Sequence, residues 1–119
     1  MLRALRGATT VDDDTPEEVQ ERVVELLREM FARNDVDHDD LVSIVFTATD
    51  DVHSMFPATA ARTIGLGDVA MVCARELDIL GATEHCIRVL VHLESVLSRA
   101  ELRHVYLHGA TTLRDDLPG

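Results

Sequence analysis

The 119-residue chain contains no lysine and no tryptophan, two cysteines, and only 3% aromatic residues. The absence of lysine excludes Schiff-base chemistry, a lysine anchor for pyridoxal phosphate and the lysine of a P-loop. Two cysteines, Cys73 and Cys86, are too few for a disulfide scaffold or a CxxC metal site. Aliphatic side chains must therefore fill the core, and any anion site must be built from the 11 arginines.

Long apolar runs and positive charge are also scarce. No apolar stretch approaches the roughly 18 residues that span a bilayer, and the N-terminus lacks the apolar region of a signal peptide. Acidic residues number 22 against 11 arginines, so the formal net charge is −11. Because such a surface repels phosphates and anionic lipids, we expect neither nucleic-acid nor membrane binding. We expect one domain over residues 1–119 and a cytoplasmic location.

One segment predicts a helix from about Thr15 to Arg33. Thr15 is a typical N-cap, Pro16 suits the first helical position, and Glu18 is placed to close a capping box. Apolar residues then recur at helical spacing as a single stripe, formed by Val19, Val23, Leu26, Leu27, Met30 and Phe31. A second helix is expected to begin at Pro57 and to stop at Gly65.

Alternating apolar and polar residues predict about five strands, at residues 2–6, 42–48, 69–73, 86–93 and 103–108. We expect the first strand to turn at Gly7, and the second to place Val42 on the same face as Ile44, Phe46 and Ala48. The predicted fold class is α/β (α+β), a mixed sheet with helices on one face. Its other face is half apolar, which favours an oligomer.

Arg88 is the most informative charged residue. It lies between Ile87 and Val89 in a predicted strand, where a charge is costly unless it is paired or meets a ligand. A structural ion pair and an anion contact are both open interpretations, and Arg6 allows the same two. Glu76 follows a predicted strand, at a strand end where small-molecule sites often form.

Metal and thiol chemistry have weaker support. No HExxH motif occurs, and His104 and His108 would share a face of a strand and not of a helix, so no metal site is expected. Cys73 has no histidine near it in sequence, and we expect it to be a buried apolar residue and not a nucleophile.

Several segments, in order and along nearly the whole chain, resemble the monofunctional, trimeric chorismate mutases that form a pseudo-α/β-barrel. They are RALRGATTV (3–11), TATD (47–50), FPA (56–58) with AAR (60–62), CARELD (73–78), CIRV (86–89), RHVYL (103–107), and the tail LR (113–114) with DL (116–117). The resemblance implies a homotrimer that converts chorismate to prephenate with no cofactor and no metal.

The resemblance also implies roles for individual residues. Arg88 would contact the ether oxygen of the substrate, and Glu76 would accept its ring hydroxyl. Arg6 would bind a carboxylate, with Tyr106 hydrogen-bonding beside it. The segment from Val72 to Glu76 would line the pocket, including Cys73, Ala74 and Arg75.

The remaining implied residues belong to the walls and the entrance of the pocket. Phe56 and Ala58 would form an apolar wall, and Arg62 with Leu113 would partly close the entrance. Thr59 departs from the family, whose members often carry a basic residue there. The sites would lie between subunits.

Two alternatives remain open from the sequence. One is a non-enzymatic trimeric module that binds a small carboxylate metabolite in the same arginine cleft. The other is an enamine or imine deaminase of similar shape. Glu76 together with Arg88 favours the mutase, because a plain carboxylate binder gains nothing from a glutamate facing its anionic ligand.

Overall fold

The computed structural model describes residues 1–116. Within that range the chain forms a five-stranded sheet and two α-helices, in the order β1 (Leu2–Thr10), α1 (Pro16–Arg33), β2 (Leu41–Ala48), α2 (Pro57–Arg62), β3 (Ala70–Arg75), β4 (Cys86–Glu94) and β5 (Val105–Tyr106). Short 3₁₀ segments occupy His38–Asp40 and His108–Asp116. The predicted α+β class and the five strands are confirmed. Leu117, in the tail that resembles the family, lies outside the described residues.

The strand order across the sheet is β3-β2-β4-β1-β5. The central strand β4 is antiparallel to both of its neighbours, whereas β3 pairs with β2 and β5 pairs with β1 in parallel. As a result, four strands end at the same edge of the sheet at which β4 begins. Residues far apart in sequence meet at this edge.

Helix α1 begins as the sequence predicts. The Thr15 side chain accepts a hydrogen bond from the Glu18 N–H at 3.2 Å. The other half of the capping box differs from the prediction, since the Glu18 carboxylate accepts from the N–H of Asp13 at 2.6 Å. The reason is that the Thr15 N–H already donates to the Asp13 carbonyl.

One face of the sheet packs against the apolar stripe of α1 and forms the core. The stripe is confirmed, because its first five members are fully buried, and the sheet residues beneath it are Leu5, Ile44, Phe46, Ile87, Val89, Val91 and Leu93. Burying each such side chain contributes about 1.5–3 kcal/mol. The opposite face, which we call the open face, carries Arg6, Ala8, Val45, Thr47 and Arg88. Neither α-helix covers it, and the 3₁₀ segment His108–Asp116 contacts only its β1 and β5 end.

The predicted turn at Gly7 is wrong, because β1 continues without interruption to Thr10. Gly7 instead lies directly beneath helix α1. A Cβ atom at this position would lie 2.4 Å from Met30 Sδ and 3.2 Å from Leu26 Cδ1. Glycine therefore allows the close approach of helix and strand, and a larger residue would require the end of the Met30 side chain to shift.

Val42 does not share the core face, contrary to the prediction. The pairing of β2 with β4 shifts register between Leu41 and Ser43. This irregularity leaves Val42 48% exposed, whereas Ile44 and Phe46 beyond it are fully buried. A bulge of this kind changes the direction of a side chain, although the alternation of apolar and polar residues in the sequence gives no sign of it.

Strand β5 is shorter than the predicted strand at 103–108. The side chain of Asn34, just after α1, accepts from the Arg103 N–H at 2.7 Å and donates to the Arg103 carbonyl at 2.8 Å. The backbone N–H and carbonyl of Arg103 therefore bond to Asn34, and the strand begins only after it. His108 adopts a left-handed conformation with φ of 51°, where the following 3₁₀ segment starts.

Two further expectations concern α2 and β3. Helix α2 begins at Pro57 as predicted and ends at Arg62, shortly before Gly65 with its φ of 89°. Cys73 is exposed, so the expectation of a buried cysteine is wrong. It lies on β3, an edge strand that pairs only with β2 and has mostly exposed residues in this single chain.

Candidate active site

A row of paired residues crosses the open face near the edge where four strands end. Tyr106 on β5 pairs with Ala8 on β1, which pairs with Arg88 on β4. Arg88 in turn pairs with Thr47 on β2, and Thr47 with Ala74 on β3. Directly paired residues point to the same side of a sheet, so the register alone brings Arg88 between Tyr106 and Thr47.

Arg6 and Glu76 join this row from two directions. Arg6 lies two residues before Ala8 on β1, and therefore on the same face. Glu76 follows the last residue of β3, and its N–H donates to the Ala48 carbonyl at 2.9 Å. This backbone hydrogen bond holds Glu76 at the end of β2.

These residues surround a cavity of about 340 Å³, which we call the Arg88 cavity. Five of the residues that the sequence proposed for the site line it: Arg6, Glu76, Arg88, Tyr106 and Leu113. The rest of its wall consists of Gly7, Ala8, Val45, Thr47, Val89 and Leu90. A few polar groups in a mostly apolar wall are typical of small-molecule sites.

Opposite charges face each other in the Arg88 cavity. Glu76 Oε2 lies 3.4 Å from Arg88 Nε, and the two side chains are 25% and 46% exposed. The same oxygen accepts a hydrogen bond from Thr47 Oγ1 at 2.7 Å. The two interpretations of Arg88, a structural ion pair and an anion contact, are therefore compatible, because its ion-pair partner Glu76 is the glutamate expected at the site.

Arg6 adds a second positive charge to the Arg88 cavity. Among the side chains of residues 1–113, no carboxylate lies within ion-pair distance of the Arg6 guanidinium, unlike that of Arg88. Two guanidinium groups and the Glu76 carboxylate sum to one net positive charge, in a chain of net charge −11. An anionic small molecule is the ligand class that this balance favours.

Two neighbouring groups stay neutral around the cavity. Cys86 lies two residues before Arg88 and is buried, and burial raises the pKa of its thiol, although the charge of Arg88 works in the other direction. His104 Nδ1 accepts a hydrogen bond from the Arg6 N–H at 3.0 Å. Burial and the charge of Arg6 lower the pKa of His104. The positive charge therefore resides on the arginines.

A second group of proposed residues lies elsewhere. Phe56, Cys73, Ala74 and Arg75 line another cavity, of about 570 Å³, which we call the Phe56 cavity. Arg75 is engaged there by Asp50, at 2.5 and 2.7 Å, and this hydrogen-bonded pair lowers the pKa of Asp50. Phe56 is 72% exposed.

The last three proposed residues line neither cavity. Ala58 lies in the first turn of α2 and is buried against the core, and Arg62 is exposed in the last turn of that helix. Val72 is 60% exposed on β3, paired with Val45 of the open face. In a single copy of the chain, the residues proposed for the site therefore lie in separate groups. The roles of all these residues stay predictions.

Thr47 is a polar residue of the cavity to which the sequence assigned no role. Its signal was present, because Thr47 alternates with Phe46 in a predicted strand and so belongs to the face away from the core. What the sequence lacked was the identity of the strands on either side. Only the pairing with β3 and β4 places its hydroxyl beside Glu76.

Neither a metal cluster nor a membrane-spanning helix emerges from the part of the chain that the structure describes. No three histidine, cysteine, aspartate or glutamate side chains of residues 1–113 are grouped as a metal ion requires. None of the described helices is long and apolar enough to cross a bilayer. The cytoplasmic location stays a prediction.

The fold and the cavity together define an α+β protein with a cavity between guanidinium and carboxylate groups that suits a small anion. Comparison with known proteins is more specific. The family chorismate mutase type I matches residues 2–117. The chorismate mutases AroH of Bacillus subtilis and Thermus thermophilus are 38% and 42% identical over 118 residues, with 98% of this chain and 93% and 97% of theirs covered.

A solved structure agrees with the sequence relatives. A chorismate mutase from Clostridium thermocellum superposes with a TM-score of 0.90 at 43% identity, covering 92% of this chain and 98% of that one. The chain therefore belongs to the chorismate mutase type I family. Chorismate mutases are isomerases, and family membership supports neither alternative that the sequence left open.

Proposed function

We propose that this chorismate mutase rearranges chorismate to prephenate in the Arg88 cavity, by conformational restraint and fixed charge. The observation that carries the proposal is the placement of Arg88, Glu76, Arg6 and Tyr106 around one cavity with both signs of charge. The reaction is unimolecular and pericyclic. One ether C–O bond breaks, one C–C bond forms, and no proton or electron leaves the substrate.

Charge separation in the transition state explains the need for both signs. As the C–O bond breaks ahead of C–C formation, the ether oxygen gains negative charge and the ring gains positive charge. Arg88 donates to that oxygen, and Glu76 accepts the ring hydroxyl and faces the positive side. Groups held in place before the reaction stabilise such charges without reorganising.

Restraint of the substrate supplies the second part of the rate enhancement. Arg6 binds one carboxylate of the dianion with Tyr106 beside it, so that the flexible side chain stays folded over the ring. Holding reacting atoms near their bonding distance removes an entropic cost of about 7–11 kcal/mol in favourable cases. Only binding that is stronger in the transition state raises the rate.

We further propose that the active enzyme is a homotrimer, in which the Phe56 cavity of one subunit faces the Arg88 cavity of the next. Two observations support this arrangement. The residues proposed for one site fall into two cavities of a single chain. Edge strand β3 and the apolar part of the open face are uncovered. Val72 belongs to both of these surfaces and is exposed.

The direct test follows the loss of chorismate absorbance with wild-type protein and with Arg88→Ala, identifying prephenate as the product. Removing one such donor typically costs about 10²–10³ in kcat, and we expect at least that loss. Arg28→Ala is the matched control, because it removes an equally charged, exposed residue from the outer side of α1. A folded wild type that leaves chorismate unchanged would bring back the carboxylate-binding module.

A further inference from the structure

We propose that Thr47 is a positioning residue, whose hydroxyl holds the Glu76 carboxylate in place for the substrate. This inference rests on the role proposed for Glu76. Thr47 Oγ1 donates to Glu76 Oε2 at 2.7 Å, a short distance typical of hydrogen bonds to a charged oxygen. No residue type other than threonine or serine provides such a hydroxyl on so short a side chain.

Glu76 has two anchors, and both are on β2. Its N–H is bonded to the carbonyl of Ala48, and its carboxylate is bonded to the adjacent Thr47. Glu76 itself belongs to no strand, because β3 ends at Arg75. The backbone hydrogen bond fixes the position of the Glu76 main chain, and the hydrogen bond from Thr47 fixes the position of its carboxylate.

The contact matters because Arg88 attracts the same oxygen. Glu76 Oε2 lies 3.4 Å from Arg88 Nε and 2.7 Å from Thr47 Oγ1, so the two groups share it from neighbouring strands. Without the hydroxyl, Arg88 would be the remaining partner, and the glutamate would be free to close on it. A closed ion pair would occupy the guanidinium that the ether oxygen requires.

The arrangement also assigns the two carboxylate oxygens. Thr47 and Arg88 both take Oε2, which leaves Oε1 for the ring hydroxyl of the substrate. Thr47 is itself well suited to this task, because a β-branched side chain in a strand has little rotational freedom. Its position in the row directly opposite Arg88 keeps the hydroxyl beside the ion pair.

Thr47→Val and Thr47→Ser separate the hydroxyl from the shape of the side chain. Valine keeps the volume and loses the donor, and we expect kcat to fall about tenfold to a hundredfold, as for a lost hydrogen bond to a charged group. KM should change less than kcat, and serine should stay within about threefold of the wild type. Thr63→Val is the matched control, because it also loses a hydroxyl contact, to the Ala60 carbonyl at 2.6 Å, outside the Arg88 cavity.

A double-mutant cycle tests whether Thr47 acts through Glu76. In a Glu76→Ala background, Thr47→Val should cause no further loss of kcat, since the group that it positions is already gone. Losses that multiply, or a serine variant as impaired as the valine variant, would overturn the inference while leaving the mutase activity standing. A wild type without mutase activity would overturn the proposed function and this inference together.

Discussion

The Arg88 guanidinium and the Glu76 carboxylate lie 3.4 Å apart on adjoining parts of the open face. Each is the nearest charged partner of the other that the described chain provides in the Arg88 cavity. In the mechanism proposed above, substrate binding exchanges part of this ion pair for contacts to the ether oxygen and the ring hydroxyl.

The shape of the cation at position 88 should matter as much as its charge. Arg88→Lys is expected to recover only part of the activity that Arg88→Ala loses, because a flexible ammonium cannot reproduce the planar guanidinium fork. Initial rates over a range of chorismate concentrations give kcat and KM for the three proteins. Turnover by the lysine variant at the wild-type level would show that a point charge is sufficient.

Mixed assemblies test the proposed sharing of sites between subunits. Arg88→Ala and Arg62→Ala chains, each impaired alone, should regain activity when unfolded together and refolded, because some interfaces then combine two intact halves. A pair altered in the same cavity, Arg88→Ala with Arg6→Ala, is the control and should not recover. Equal activity of the two mixtures would contradict sites built from two subunits.

Gly7→Ala should destabilise the fold. The added methyl group would lie 2.4 Å from Met30 Sδ, and overpacking of a core typically costs about 1–3 kcal/mol. Urea unfolding at one protein concentration measures the change.

Gly67→Ala is the matched control for that measurement, because a Cβ there would meet no atom within 4 Å. Shortening the obstructing side chain should relieve the strain, so the cost of Gly7→Ala should be smaller in a Met30→Ala background. Equal free energies of unfolding for Gly7→Ala and the wild type would show that α1 has room to shift.

Acid should weaken the attachment of the loop that leads into β4. Burial alone would raise the pKa of Asp51, but hydrogen bonds from the Thr49 hydroxyl and the His85 N–H outweigh it, and the pKa is lowered from its ordinary 3.8. A carboxyl with a lowered pKa in the folded state stabilises the fold above its unfolded pKa. That stabilisation is lost as the pH falls through the folded value.

Asp51→Asn should therefore be less stable than the wild type at pH 7, with the difference shrinking once the pH is below about 3.8. Unfolding free energies from pH 7 to pH 3 measure this convergence. Asp39→Asn, an exposed aspartate on the 3₁₀ segment before β2, is the control. A difference between Asp51→Asn and the wild type that stays constant with pH would show that ionisation of Asp51 contributes nothing.

Local patterns in the sequence were sufficient for the regular elements of the fold. Helix α1 and strand β4 were both predicted close to their observed bounds, since burial of one side imposes a helical or a twofold period on the residues themselves. The faces of β4 were also predicted correctly, with Ile87 and Val89 buried and Arg88 on the other side. These features depend on residues that are neighbours in the chain.

The same reasoning failed wherever a distant segment decides the local conformation. Gly7 has the appearance of a turn residue, and only the position of Met30 above it explains a glycine within a strand. The shortness of β5 depends on Asn34, which binds Arg103 from the far end of α1. Such contacts join residues whose separation in sequence carries no periodic signal.

The features of the candidate site also fall into two groups, those that the sequence determined and those that depended on contacts between distant segments. The sequence by itself determined that an arginine-based anion site without lysine chemistry was available, because composition limits the side chains at hand. Only the tertiary structure decided that Thr47, Glu76 and Arg88 meet in one cavity while Phe56 and Cys73 line another. Strand order and register are set by the pairing of whole strands, and that pairing brings these side chains within bonding distance.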